Sequence, residues 1–308
     1  MIDQSSLVIG IDGGGSHTRA FLADDKGKVL GKGVSGPSNH NRVGDQLAEI
    51  SLNDSIHKAF QQANIPYQPV RSICLGMAGA DRPADRSWLE TWARKYQIAS
   101  RIICVNDGQI LISAGTPDEW GCGLISGTGS LAVGISPDGK NARSGGWGYL
   151  AGDEGSGYWM GIQALQAITK SVDDRGPGTL LLELVLNFWK LENSSQLIPY
   201  IYGPNFERSE IARLARLVQS AAEQGDSIAL AIESAAGQEL ARMVLSVTRK
   251  LNFGSTTPCA FGGGVLTRYP ALQRITLNEC LKMGLELSPL SLVEEPALGA
   301  VRIALQQG

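Results

Sequence analysis

The stretch with the clearest chemical potential is Leu7–Thr18, LVIGIDGGGSHT. An apolar run there meets one carboxylate, Asp12, three glycines (Gly13, Gly14 and Gly15), and the hydroxyl residues Ser16 and Thr18 around His17. Glycines without a Cβ let the backbone turn sharply and bring its N–H groups close to an anion. An acidic side chain beside such a turn suits a hydrated Mg²⁺ better than a bare phosphate. The combination suggests a metal–phosphate site, with an ordinary hairpin turn as the alternative. It is neither a G-x-G-x-x-G nor a Walker A loop, because no Gly-Lys-Ser/Thr follows.

Asp107 ends the apolar run IICVND. Ligands of α/β sheets gather beyond the carboxyl ends of strands, and a half-desolvated carboxylate there can take the proton of an attacking hydroxyl. It could equally cap a helix over Gly108–Ala114. The run from Gly145 to Gly157 combines glycines with Trp147, Asp153 and Glu154. Trp147 offers a flat apolar face or a core anchor, and the two carboxylates can accept from sugar hydroxyls or cap the helix that follows. Asn39 and His40 lie in a polar loop where binding competes with Asx-turn chemistry. Gly262–Gly264 either admits an adenine or ribose against bare backbone or is a plain strand-to-helix turn. His17 and His57 have no second ligand at metal spacing and read as surface or structural residues.

The elements that must position these residues follow from pattern. Arg19–Ala23 and Lys28–Val34 read as strands about the turn Asp24–Gly27, followed by the loop Ser35–Asn41, too polar and Gly/Pro-rich for regular structure. Gly44–Asn64 reads as a helix, with Ile56, Ala59, Phe60 and Ala63 at i, i+3, i+4, i+7. Ser72–Leu75 is a short buried strand leading into the small-residue loop Gly76–Asp81; helix Ala84–Tyr96 and strand Arg101–Val105 follow. The opening pattern then restarts: strand Gly121–Ser126, the turn Gly127-Thr128-Gly129-Ser130, strand Leu131–Ile135 and a turn at Pro137–Lys140 into a third segment. The repeat implies two similar halves whose hairpins close on one ligand from opposite sides. Helices are expected over Gly155–Ser171, Leu180–Leu191, Ser209–Gln224 and Asp226–Leu251, then strand Pro258–Phe261, a helix around Ala271–Met283, strand Leu290–Val293 and helix Ala297–Leu305. This order argues for an α/β protein with mixed central sheets.

Composition narrows the class. The 308 residues are enough for two domains, and 43% hydrophobic content suffices to build cores. With 27 basic against 30 acidic residues, a formal net charge of -3 and no basic stripe, nucleic acid is not an expected partner. An anionic substrate would need backbone N–H groups, a metal ion or single arginines. The five scattered cysteines form no C-x-x-C pair, which speaks against zinc and disulfide frameworks and for reduced thiols. The N-terminus lacks a basic n-region and no segment reaches membrane-span length, so a soluble, cytoplasmic protein is expected.

IDGGGSHT, VND, ISGTGS, GGWGYLAGDEGSGYW, AFGGGV and PALGA, in this order, resemble the N-acetylglucosamine kinase group of the BadF/BadG/BcrA/BcrD ATPase-like proteins, within the sugar kinase, actin and Hsp70 superfamily. The resemblance runs from about Ile9 to the last helix. It implies an α/β fold of two ribonuclease-H-like domains (the actin-like ATPase fold): residues 1–117 joined by the last helix 296–308, and residues 118–295 with extra helices, binding ATP and sugar in the cleft between them. By this resemblance Asp12 matches the acid associated with Mg²⁺, standing where some relatives have Glu. Asp107 matches the catalytic base, and Asn39, His40, Gly146, Trp147, Gly148 and Asp153 match sugar-contacting positions. Gly13, Gly14, Gly15, Ser16, Thr128 and Gly129 belong to the two phosphate-binding hairpins, and Ala222 and Gly263 fall near adenosine-binding positions. The implied activity is phosphoryl transfer from MgATP to the 6-hydroxyl of an amino sugar, with N-acetylglucosamine foremost and glucosamine or N-acetylmuramic acid as alternatives. Dimerisation is common among such relatives. A dehydratase-activator ATPase would need clustered cysteines. A non-catalytic sugar sensor would not need Asp107.

Overall fold

The computed structural model describes residues 7–80, 82–204 and 206–306. Asp81, at the end of the expected small-residue loop, and the extreme termini of the expected first domain lie outside the described residues. Contacts divide the chain into two compact units: one runs through Gly121 and takes back the segment from Glu295 onward, the other is Cys122–Glu294.

In the first unit, strands β1 (Val8–Gly13), β2 (Thr18–Ala23) and β3 (Val29–Ser35) are followed by helices α1 (His40–Val43) and α2 (Asp45–Ala63). Then come β4 (Val70–Met77), α3 (Pro83–Lys95), β5 (Ala99–Asn106) and α4 (Asp107–Gly115). The sheet order is β3-β2-β1-β4-β5, antiparallel across β3, β2 and β1 and parallel across β1, β4 and β5. Leu7, Ile9, Ile11 and Leu75 are buried on one face with Leu52 of α2 and the stripe expected from helical spacing, Ile56, Ala59 and Phe60 buried and Ala63 half-buried. Val8 and Cys74 face the opposite side with Ile110 and the helix that ends the chain. Burial on both faces explains why β1 and β4 are nearly continuous apolar runs.

The second unit repeats the plan. Strands β6 (Gly121–Ser126), β7 (Ser130–Ile135) and β8 (Asn141–Gly145) precede helices α5 (Gly157–Val172), α6 (Leu181–Trp189), α7 (Leu197–Ile201), α8 (Arg208–Ala212), α9 (Ala215–Glu223) and α10 (Ser227–Lys250). Strand β9 (Thr256–Gly262), helix α11 (Pro270–Lys282) and strand β10 (Glu286–Leu292) complete it, and α12 (Ala297–Gln306) returns to the first unit. The order β10-β9-β6-β7-β8 matches the first sheet strand for strand, with β9 parallel to β6 and β10 parallel to β9. The expected α/β fold of two ribonuclease-H-like sheets is present.

Three local expectations are corrected. The loop after β3 is not wholly irregular, because His40–Val43 forms one helical turn. The expected helix Ser209–Gln224 is two helices: the Leu214 N–H reaches only to the Ile211 carbonyl, a tightened turn, while that carbonyl is packed against Gly161 of α5. Asp107 is not the helix cap. Asn106 takes that place, accepting from the Gly108 N–H at 2.7 Å while Gln109 accepts from the Asn106 N–H at 3.1 Å.

Helix α12 lies flush on β1 and α4 because Gly10 and Gly299 face those contacts. A Cβ on Gly10 would run into Val301, and one on Gly299 into the Ile110 carbonyl. The fit also fixes α4, which carries Asp107 at its first turn. Gly299→Ala is expected to cost roughly 1–3 kcal/mol through overpacking against backbone that cannot yield. Denaturant unfolding of variant and wild type checks this, and unchanged stability would contradict the flush contact.

Candidate active site

In the first unit the register brings the candidate residues to one sheet edge. Gly13 pairs with Met77, and Met77 pairs with Asn106, so the carboxyl ends of β1, β4 and β5 lie level. Neighbouring strands are about 4.8 Å apart, which puts Gly13 and Asn106 on the order of 10 Å from each other. Asp12, the glycine turn and Asp107 therefore share the edge where α/β sheets receive ligands.

The glycine turn is fixed through its carbonyls. Gly13 O accepts from the Ala78 N–H at 2.9 Å, and Gly14 O accepts from the Ser38 and Asn39 N–H groups at 3.2 and 3.3 Å. Gly15 O accepts from the Arg42 guanidinium. In a planar trans peptide the next N–H points opposite the carbonyl. Carbonyls turned toward Ser38, Asn39 and Arg42 thus aim the N–H groups of Gly15 and Ser16 the other way, beside the exposed Ser16 and His17 side chains. Thr18 is buried and donates to Gly36 O at 2.7 Å, so its hydroxyl anchors the hairpin.

Asp12 keeps 21% of its side-chain surface exposed and lies 3.7 Å from Arg19. Burial raises its carboxyl to about 6, against the lowering effect of the Arg19 charge. Such a carboxylate gains from a cation. It is a single hard oxygen donor beside a turn suited to phosphate, the setting in which Mg²⁺ keeps waters and takes its other ligands from substrate phosphates. No group of three or more His, Cys, Asp or Glu among the described residues forms an all-protein metal cage. Asp107 is half-buried, and its Oδ1 accepts from the Gly108 N–H at 3.1 Å.

Asn39 and His40 sit beside a small cavity lined by residues that include Ser38, Met77, Asp85 and Trp88. Asn39 Nδ2 donates to Ala78 O at 3.3 Å. The His40 ring stacks on Trp88 at 4.4 Å, with Nε2 2.9 Å from Asp85 and Nδ1 3.1 Å from Asp45. Arg42 and Asp85 were not singled out in the sequence, since neither carries a motif. A Trp88 ring one helical turn beyond Asp85 is the only pattern that could have drawn attention to it.

The second unit has a matching hairpin. Gly127 O accepts from the Gly157 N–H at 2.8 Å, aiming the Thr128 N–H away from α5, and Thr128 is exposed like Ser16. Gly263, at φ +86°, packs on the Ser126 backbone so tightly that a Cβ would overlap it. Asp153 lies over this hairpin: a Cβ on Gly129 would stand 3.0–3.1 Å from its carboxyl group, and the Ser130 N–H approaches Oδ1 at 3.4 Å. Burial raises the Asp153 carboxyl, partly offset by that N–H. Neither Asp153 nor Glu154 caps α5. Ser156 does, accepting from the Trp159 N–H at 3.1 Å. Gly146 donates to Ser130 O at 2.9 Å, and Gly148 has φ +83°. Trp147 is 72% exposed and lies under Arg143, so it is a presented ring and not a core anchor. Ala222, near the end of α9, is buried in the core of the unit.

A model of the BadF/BadG/BcrA/BcrD ATPase family matches residues 9–304. The chain belongs to that family. Among curated relatives in or near this ATPase family, the N-acetylmuramic acid/N-acetylglucosamine kinase of Clostridium acetobutylicum is 37% identical, covering 96% of this chain and 97% of its own. The N-acetyl-D-glucosamine kinase of Dictyostelium discoideum is 31% identical over 97% of this chain and 98% of its own. The crystal structure of a candidate N-acetylglucosamine kinase from Chromobacterium violaceum superposes with a TM-score of 0.80 at 28% identity, over 99% of this chain and 100% of that one. No helix among the described residues of this family member is long and apolar enough to cross a membrane.

Glu233 of α10, also unannounced by any motif, is 3% exposed, and its Oε1 has no hydrogen-bond partner. Burial first, then the Glu223 charge, raises its carboxyl to about 7 from 4.5, against the lowering effect of Arg274. The folded chain therefore holds this proton to a pH where the unfolded chain has released it. The resulting cost of ionisation is absent below pH 4.5, grows above it and is fully expressed above about pH 7. Glu233→Gln is expected to unfold at higher denaturant than wild type at pH 8, with that advantage gone near pH 4.5. Equal midpoints at pH 8 would contradict the assignment.

Proposed function

We propose that this protein is an amino-sugar kinase that transfers the terminal phosphoryl group of ATP to the 6-hydroxyl of N-acetylglucosamine. The observation that carries the reading is the level edge of the first sheet. There a glycine turn with outward N–H groups, the Asp12 carboxylate and the Asp107 carboxylate stand at the ends of parallel neighbours β1, β4 and β5. The loop bearing Asn39 and His40 is hydrogen-bonded to that turn. Names of relatives at 37% and 31% identity support the same substrate class.

In this reading Asp107 is the general base. Its carboxylate takes the proton of the sugar hydroxyl as the new O–P bond forms and the bond to the bridging oxygen of ADP breaks, a contribution of about 10²–10⁴-fold. Asn106 serves this role by taking over the helix cap. The turns at Gly13–Ser16 and Gly127–Gly129 contribute backbone N–H groups and the hydroxyls of Ser16 and Thr128 to phosphate oxygens, with electrostatics and positioning carrying most of the catalysis. Asp12 would hold Mg²⁺, which when bound neutralises phosphate charge. Asn39, His40, Gly146, Trp147, Gly148 and Asp153 are assigned to the sugar, and Ala222 and Gly263 to the adenosine end of the nucleotide. N-acetylmuramic acid is the second acceptor to test, because the 37% identical relative is named for both sugars.

Asp107→Asn is expected to lower kcat by about 10²–10⁴-fold while sugar affinity stays within a few-fold, since only the proton acceptor is lost. A coupled assay of ADP release across N-acetylglucosamine, N-acetylmuramic acid and glucosamine, with sugar affinity by calorimetry, checks both arms. An asparagine variant that turns over at the wild-type rate would refute the base assignment.

A further inference from the structure

Asp85 is 6% exposed, at the third position of α3. Its Oδ1 is crowded: His40 Nε2 lies at 2.9 Å and Asn41 Nδ2 donates at 2.9 Å. Its Oδ2 is buried with no hydrogen-bond partner. An acid in a first helical turn commonly serves the helix N-terminus, and a side chain in that role accepts from the backbone N–H at the cap. At the cap of α3 the Arg82 N–H donates instead to the Gly79 carbonyl at 3.4 Å. Two further buried atoms without partners, Ser38 Oγ and Asn39 Oδ1, belong to residues lining the same cavity.

These three atoms share a chemistry. A carboxylate oxygen only accepts. Asn39 Oδ1 also accepts, because Nδ2 of the same amide is committed to Ala78 O. The Ser38 hydroxyl can do either. Burial favours protonation of Asp85, yet hydrogen bonds from Asn41 and His40 and the Arg82 charge outweigh it and hold the carboxyl below its ordinary range. An ionised oxygen left buried and unpaired is costly until a donor reaches it. The remaining walls are apolar, from Met77, Ala78, Ala80 and Leu89, and the free volume of about 10 Å³ admits one water-sized group. An acetyl group is too large and presents an acceptor oxygen. A hydroxyl or a primary ammonium is the right size and donates.

We propose that Asp85 is a specificity-determining residue whose Oδ2, with Asn39 Oδ1 and Ser38 Oγ, accepts hydrogen bonds from a hydroxyl or ammonium substituent of the sugar. This rests on the amino-sugar kinase reading. The notch recognises a donor and leaves the acetyl group to other contacts. His40, flattened on Trp88 and held by Asp45 on its other nitrogen, forms the wall that keeps Oδ1 occupied and Oδ2 turned to the ligand.

The test is a set of steady-state cycles with N-acetylglucosamine, its 1-, 3- and 4-deoxy analogues, and glucosamine, on wild type and Asp85→Asn. In wild type, one deoxy analogue is expected to lose about 10–100-fold in kcat/KM, mostly through KM. In Asp85→Asn the parent sugar should lose a similar factor, and that analogue should lose nothing more. If the donor is the ammonium, glucosamine instead outperforms the acetylated sugar in wild type and loses the advantage in the variant. Ser38→Ala, a one-atom change, should shrink the same penalty if Asp85→Asn does not fold, and Asp54→Asn, at an exposed Lys58 pair on α2, should leave it intact. An active Asp85→Asn with wild-type KM for every sugar, or one that weakens parent and analogues equally, overturns the proposal. A wild-type protein inert toward every amino sugar overturns the functional reading and this proposal with it.

Discussion

The first unit's site depends on the Gly14 carbonyl. Two successive N–H groups, of Ser38 and Asn39, converge on that one oxygen and tie the loop after β3 to the turn after β1. Because the peptide is planar, the same bonds decide where the Gly15 N–H points. The loop after β3 and the turn after β1 are thereby one hydrogen-bonded object. A single carbonyl sets the direction of a donor, the position of Asn39 and the start of the helical turn that carries His40 and Arg42. The second unit uses the same device with one donor, the Gly157 N–H on Gly127 O, which links its turn to the start of α5.

The strand framework was readable because its physical cause is local. Apolar runs such as VIGI and SICLG must be covered on both faces, and glycine-hydroxyl turns between them return the chain, so the repeat of three strands and two turns was visible without side-chain contacts. What was not readable depended on distant partners. His40–Val43 reads as loop because no local pattern favours a helix there; it is held by Gly14, Gly15 and Asp85. The break before α9 follows from Gly161 meeting the Ile211 carbonyl, fifty residues apart in sequence. Asn106 and Asp107 are both good caps by type, and only the structure distributes the roles. Trp147 offered a binding face or a core anchor in the sequence, and its exposure removes the core anchor.

Burial alone does not fix the charge state of a carboxyl in this protein. Asp12, Asp153 and Glu233 are all pushed upward by desolvation with too few donors to compensate. Asp85, more deeply buried in surface terms than Asp12, moves the other way because His40 and Asn41 both reach its Oδ1. The distinction is chemical: a protonated acid can sit quietly in a core, whereas an ionised one with a bare oxygen keeps an unsatisfied demand for a donor.

Net charge and site chemistry are reconciled by this economy of dipoles. With 30 acidic residues against 27 basic ones, the chain carries no surplus of cations to draw in a polyphosphate. Neither turn contains a lysine: the sequences are GGGSH and GTGS. Positive potential at each turn must come from oriented backbone N–H groups, which cost no net charge and do not collapse onto Asp12 or Asp107 as a lysine would. Arg19 stands 3.7 Å from Asp12, where its charge lowers the carboxyl that burial raises, and the Arg42 guanidinium is turned onto the Gly15 carbonyl. The first unit's glycine turn, which has no lysine, thus places oriented N–H groups beside two acids on one sheet edge without adding a cation of its own.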